Sequence, residues 1–192
     1  CAIGSQLAHE LHAATAAEKA ARKLDLIARM GEVHGHSAMA TLRFCGGFAM
    51  CAHLLRAGGR FSAMGVVDDA TRRAFHSVAV PCTSDAWQQA QLPLHLGGFG
   101  VRSLQTYAAA ASFASASASA SAVATYYSGP ALPPDPLLVS SAAALTAAQP
   151  FLADTVDTIQ RGETATDGKV QQLLSRKIDE HAADEMLEKS RD

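Results

Sequence analysis

The chain has 192 residues and a formal net charge of −2, with charged residues at 18% and aromatics at 6%. That balance excludes a generally polycationic nucleic-acid module and leaves only local basic patches for such a role. Ala supplies 40 of the residues, so a thin core of Ala, Leu and Val in a mostly helical chain is expected.

A long amphipathic helix is predicted over residues 5–30, with Ser5 as N-cap and Leu7, Leu11, Leu24, Ile27 and Met30 on helical spacings with Ala between them. Glu18, Lys19, Arg22 and Lys23 mark its wet face, and Gly31 and Gly35 end it. A second helix spans 37–57, capped by Ser37, with Met39, Leu42, Cys45, Met50, Leu54 and Leu55 as its apolar face beside Phe44 and Phe48. Within it Gly46-Gly47 either allows close helix contact or marks a kink. Gly58-Gly59 closes the segment.

A third helix over 67–79 places Asp68 and Asp69 in its first turn, where negative charge suits the helix dipole, and Pro81 stops it. Ser84 caps a short helix to about Gln91, and Leu92-Pro93-Leu94-His95-Leu96 is expected to be extended. Gly97-Gly98-Phe99-Gly100 reads as a tight turn before an Ala-rich helix capped by Ser103 and reaching about Tyr127. The Pro-rich stretch 129–136 reads as a linker. Helices near 137–148, 150–160 and 166–190 follow, the last either a docked amphipathic helix or a solvated tail. The fold expected is all-α, an irregular helical bundle with a Gly-rich turn between helices and a helical tail. Its divisions are 1–128, 129–136 and 137–192.

Cys1, Cys45, Cys51 and Cys82 form no C-x-x-C pair, and their sparse spacing suits reduced thiols in an intracellular protein, nuclear or cytoplasmic. His9, Glu10 and His12 stand where a signal peptide would carry its apolar core. Leu104 to Pro134 is uncharged, but the alternating Ala and Ser at 114–121 add little transfer energy, so a soluble helix is expected and no membrane partner.

Motifs for chemistry are weak. His9-Glu10-Leu11-His12 has the wrong histidine spacing for a zinc protease. Cys45, Cys51 and His53 point to different sides of a regular helix and are read as buried thiols and a lone histidine rather than one metal site. Val66-Val67-Asp68-Asp69 is similar to the aromatic-x-Asp-Asp pair of polymerase palms, yet lacks the aromatic and the hairpin. Gly97 to Gly100 precedes a helix, the geometry that binds a phosphate, but a structural turn is the expected role. No catalytic residues, metal or cofactor are assigned.

Residues 1–60 hold seven Lys and Arg against four Asp and Glu, a balance of +3, whereas 103–160 hold no Lys or Arg. Any polyanion contact therefore belongs to the N-terminal helices. Arg43 and Arg56, on the second predicted helix, are expected to share one broad face, with Lys23 and Arg102 as further candidates.

The segment Trp87-Gln88-Gln89-Ala90-Gln91-Leu92-Pro93-Leu94-His95-Leu96-Gly97-Gly98-Phe99-Gly100-Val101-Arg102-Ser103 resembles a stretch of non-LTR (LINE-like) retrotransposon polyproteins lying downstream of the reverse-transcriptase palm. Ala2-Ile3-Gly4-Ser5, and Leu42-Arg43-Phe44-Cys45 with His53-Leu54-Leu55-Arg56, resemble upstream pieces in the same order, so the likeness covers about residues 2–127. The family activity is RNA-directed DNA synthesis, but its catalytic Asp pair has no match here. The resemblance implies a non-catalytic, thumb-like helical fragment contacting a template–primer duplex of RNA or DNA. The Ala-Ser repeat and residues 129–192 depart from the family pattern. The alternative is an inert or scaffolding helical protein, with the terminal helix as the element that takes a partner helix.

Overall fold

The computed structural model describes residues 6–57, 62–79, 83–127, 129, 135–163 and 169–191. Among them it is an all-α helical bundle: α1 (Gln6–Gly31), α2 (Gly35–Cys45), α3 (Gly47–Arg56), α4 (Met64–Val78), α5 (Ser84–Gln91), α6 (Leu104–Tyr126), α7 (Pro136–Ala148), α8 (Ala153–Gln160) and α9 (Val170–Lys189). Single 3-10 turns occupy Leu94–Leu96 and Pro150–Leu152. Ser5, Gly58-Gly59, Pro81, Cys1, Cys82, Ala2 to Ser5 and most of the 129–136 stretch lie outside the described residues.

The helices gather into two compact units. The first holds residues 1–53, 60–106 and 179–192; the second holds 54–59 and 107–178. In the first, α1 packs along α4, and α2 packs on both. The seam of α1 is Ala13, Ala17, Ala20, Leu24 and Ile27, spaced four and three residues apart and all buried. Leu7 and Leu11, expected on the buried face, are 65% and 61% exposed. The small residues are buried because a seam of Ala lets two backbones approach more closely than Leu would. From α4 the matching face is Met64, Val67, Ala70, Thr71, Ala74 and Phe75.

The second predicted helix is two helices. Gly46 leaves helical geometry (φ −80, ψ −164), and α2 ends there. A Cβ on Gly47 would strike Thr71 Oγ1 on α4, so Gly47 permits close contact where Gly46 makes the break. Helix α2 opens at Gly35 behind His34 rather than at Ser37. Helix α4 opens at Met64, three residues earlier than expected, which puts Asp68 and Asp69 beyond its first turn.

Asp68 serves another helix. Its carboxylate accepts hydrogen bonds from the Ser103 hydroxyl (2.7 Å), Leu104 N–H (2.7 Å) and Gln105 N–H (3.1 Å). Ser103 Oγ in turn accepts from Thr106 N–H at 3.3 Å, so the expected Ser103 cap is present and is itself held by Asp68. The first two donors of α6 are thus satisfied from α4 and the third by Ser103.

In the second unit, Leu55, Phe113, Leu145, Leu152 and Leu174 are fully buried, with Val156, Ile159 and Ile178 around them. Burying Phe113 alone contributes about 2–3 kcal/mol. Val170, Leu174 and Ile178 recur every fourth residue, so this part of α9 is docked rather than a solvated tail. Asp135 caps α7 by accepting from Leu137 N–H at 2.9 Å, with Pro136 in the first helical turn.

Burial pushes the Asp68 pKa above the ordinary carboxylate value of 3.8, against the lowering effect of its three donors, with Asp69 adding a smaller rise. A raised folded-state pKa means the native state binds more protons than the unfolded one in that window. Asp68 then contributes stability below pH 3.8 that is lost as pH rises through its folded-state pKa. We expect D68A to destabilise the protein by about 1–3 kcal/mol. D68N should cost less and flatten the pH dependence in that window; urea unfolding across pH checks both, and a D68A as stable as wild type would refute the capping role.

Candidate nucleic-acid interface

The turn that carries the family resemblance closes on its own backbone. Helix α5 starts at Ser84, but the cap is Thr83, whose hydroxyl accepts from Ala86 N–H at 3.3 Å. After it Leu92 and Pro93 are extended, whereas Leu94 to Leu96 form a 3-10 turn instead of the extended run expected. The chain then folds back. Gly98 N–H donates to Pro93 O (3.1 Å), Phe99 N–H to Ala90 O (3.1 Å) and Gly100 N–H to Leu92 O (2.8 Å). Gln89 Nε2 holds Gly97 O at 3.3 Å.

Two of its glycines have distinct reasons. A Cβ on Gly98 would run into Leu92 O, so no side chain fits there. Gly100 has φ +72, a left-handed conformation, and a Cβ placed on it would lie 3.4 Å from Arg43 Nε. Leu92 is buried beneath the turn. Trp87 is half-buried in a ring cluster: Phe75 lies 5.5 Å from Trp87 and 5.5 Å from Phe99, and Arg72 sits 5.8 Å above the indole. The motif Trp87, Leu92, Pro93, Gly97, Gly98 and Gly100 thus sets how α5 hands the chain to α6.

A phosphate at the start of α6 would meet a filled position, because the Asp68 carboxylate already takes the Leu104 and Gln105 donors. The same bonds commit Asp68 to structure rather than to a metal. Among the described residues, no group of three or more His, Cys, Asp or Glu is placed to hold an ion.

The four basic candidates do not form one face. Lys23 is exposed on α1. Residues 13 apart would lie about 140° apart even on an unbroken helix, so the shared face expected for Arg43 and Arg56 fails on geometry. The break at Gly46 puts them on separate helices, and Arg56 belongs to the second unit. There Arg56 Nε donates to Gln171 Oε1 at 3.1 Å. Arg102 pairs with Asp179 at 2.8 Å, with 30% of its side chain exposed against 4% for the aspartate.

Arg43 and Arg102 do come together. Both line a cavity of about 90 Å³, together with Gly46, the first residues of α3 (Gly47 to Ala49), Gly100 and Val101. Arg43 is exposed, its guanidinium 4.8 Å above the Phe44 ring. A helix start beside two guanidiniums attracts an oxyanion, since the helix presents N–H donors and the arginines supply charge and planar forks.

Asp68 and Asp179 were missed as organising residues. Asp179 follows Ser175 by four residues on the side of α9 that carries Ile178, and a carboxylate beside an apolar stripe is the signal that could have marked it. Cys45 is exposed rather than buried, whereas Cys51 is buried, and both are free. Burial first, and the Asp68 charge second, push the Cys51 thiol up to about 11. By length and composition alone, Gly35–Arg56 is apolar enough to cross a membrane, though its helix is interrupted at Gly46.

No protein-family model, no curated protein and no solved structure matches this chain.

Two outcomes follow from the ion pair and the thiols. R102A removes the guanidinium paired with the buried Asp179 carboxylate and should cost about 2–4 kcal/mol in urea unfolding, whereas R102M/D179L should recover most of it. Equal stability of R102A and wild type would discount the pair. At neutral pH, iodoacetamide should modify Cys45 while Cys51 stays intact until denaturant is added, since its thiolate is roughly a hundredfold scarcer; peptide mass spectrometry showing equal labelling would contradict this.

Proposed function

We propose that this chain is a non-catalytic helical segment that contacts the phosphate backbone of a nucleic-acid duplex through the groove between Arg43, Arg102 and the start of α3. The observation that carries this reading is that two arginines far apart in sequence line one small cavity with a helix N-terminus. Phosphate contacts need charge, donors and little else, and such contacts read no sequence. The resemblance of Leu92 to Ser103 to the retroelement segment downstream of the palm supports a duplex of RNA and DNA strands as the ligand. It also supports descent from a reverse-transcriptase polyprotein. On this reading Asp179 serves to orient Arg102, and Arg43, with no carboxylate within ion-pair distance among the described residues, supplies the charge. Lys23 and Arg56 are left outside the groove.

A second reading, a protein-interaction scaffold, is favoured by one observation. At the end of α6, Val123, Tyr126 and Tyr127 are 55%, 90% and 46% exposed, and Leu137 and Val139 of α7 are exposed as well.

Fluorescence anisotropy with a labelled RNA–DNA duplex tests the first reading. We expect micromolar binding at low salt that weakens steeply as salt rises, with R43A weakening it about tenfold and lowering the salt slope by about one. Absence of salt-dependent binding would overturn it and leave the scaffold.

A further inference from the structure

The second unit holds a larger cleft, about 520 Å³, lined by Arg56 on α3, by Gln171 and Val170 at the start of α9, and by one face of α6. Its size falls in the range of pockets that hold small organic molecules. Among the described residues that line it none is acidic, and Arg56 is the cationic one. Among the described residues no carboxylate lies within ion-pair distance of Arg56. The bond from Arg56 Nε to Gln171 Oε1 fixes both side chains and leaves the guanidinium amino groups and the Gln171 amide N–H as donors. The first turn of α9 brings the positive end of a 20-residue helix to the same wall.

The α6 wall explains why there is room. Its lining positions fall at 114, 115, 117, 118, 121 and 122, the spacing of one helical face. An alternating Ala-Ser repeat read with a helical period puts both residue types on that face. Ala supplies apolar wall, and Ser115, Ser117 and Ser121 supply short hydroxyls, with nothing longer to fill the space.

We propose that this cleft binds a small organic oxyanion: a carboxylate or phosphate monoester carrying a short apolar body, its charged head on Arg56 and Gln171 and its body along the Ala face of α6. Nucleic-acid contact at Arg43 is not required for it.

The test is NMR titration of the full chain with phenyl phosphate, benzoate, inorganic phosphate and benzyl alcohol. We expect phenyl phosphate or benzoate to bind at millimolar concentration or below, perturbing α6 and the start of α9. Inorganic phosphate should bind about tenfold more weakly, and benzyl alcohol should not compete. R56Q, which removes the charge, should weaken binding about tenfold or more. A118L, which fills the cleft from an exposed position, should do the same while leaving Arg56 in place. No binding by either aromatic oxyanion, undiminished binding by R56Q, or shifts centred on Arg43 and Arg102 would overturn the proposal. Equal binding of inorganic and phenyl phosphate would overturn its apolar part.

Discussion

One carboxylate organises the first unit. Asp68 gathers the Ser103 hydroxyl and two backbone N–H groups, and so ties the opening of α6 to the middle of α4. The residues just before Ser103 cannot then move independently. Gly100 and Val101 are pinned from the other side by hydrogen bonds to Leu92 and Ala90. Arg102 stands between these two anchors, and its pair with Asp179 follows from that position. The groove it shares with Arg43 exists because the backbone at 100–103 is held at both ends. Keeping such a carboxylate half-buried is costly, which its raised pKa reflects, and three donors offset that cost.

Helix existence was readable from the sequence; helix faces were not. Periodicity and punctuation placed nearly every element, because Gly, Pro and cap residues act locally. The choice between Leu and Ala for the α1 seam is not local. Hydrophobicity ranks Leu7 and Leu11 above Ala13 and Ala17, but burial follows where α4 packs along α1, and α4 buries small residues of its own, Ala70, Thr71 and Ala74. Gly46-Gly47 shows the same limit. The pair announced an irregularity, and only the position of Thr71 assigns the break to one glycine and the close contact to the other.

The candidate site was readable in its parts and not in its grouping. Arg43 and Arg102 were both singled out, for charge and for a motif respectively, yet nothing in the spacing joins them. They meet because α2 ends at Gly46 and the Gly97 to Gly100 turn swings the chain back beside it. The partners that decide how free each cation is, Asp179 for Arg102 and Gln171 for Arg56, lie far away in sequence, and nothing local names the arginine each one meets.

The Ala-Ser helix makes the argument sharpest. Along α6 the first part is buried, with Tyr107 to Ala111, Phe113, Ala114 and Ala116 all in the interior, while Ala118 onward is mostly exposed. The composition scarcely changes between the two parts. Small side chains accept a packed neighbour or open solvent with little penalty either way, so they report helix formation and nothing about environment. What separates the halves is that the first carries Tyr107 and Phe113, both buried, and the second has no buried large side chain. A repeat with no preference of its own takes whatever surroundings the anchored residues leave, and along one face of α6 those surroundings include a cleft.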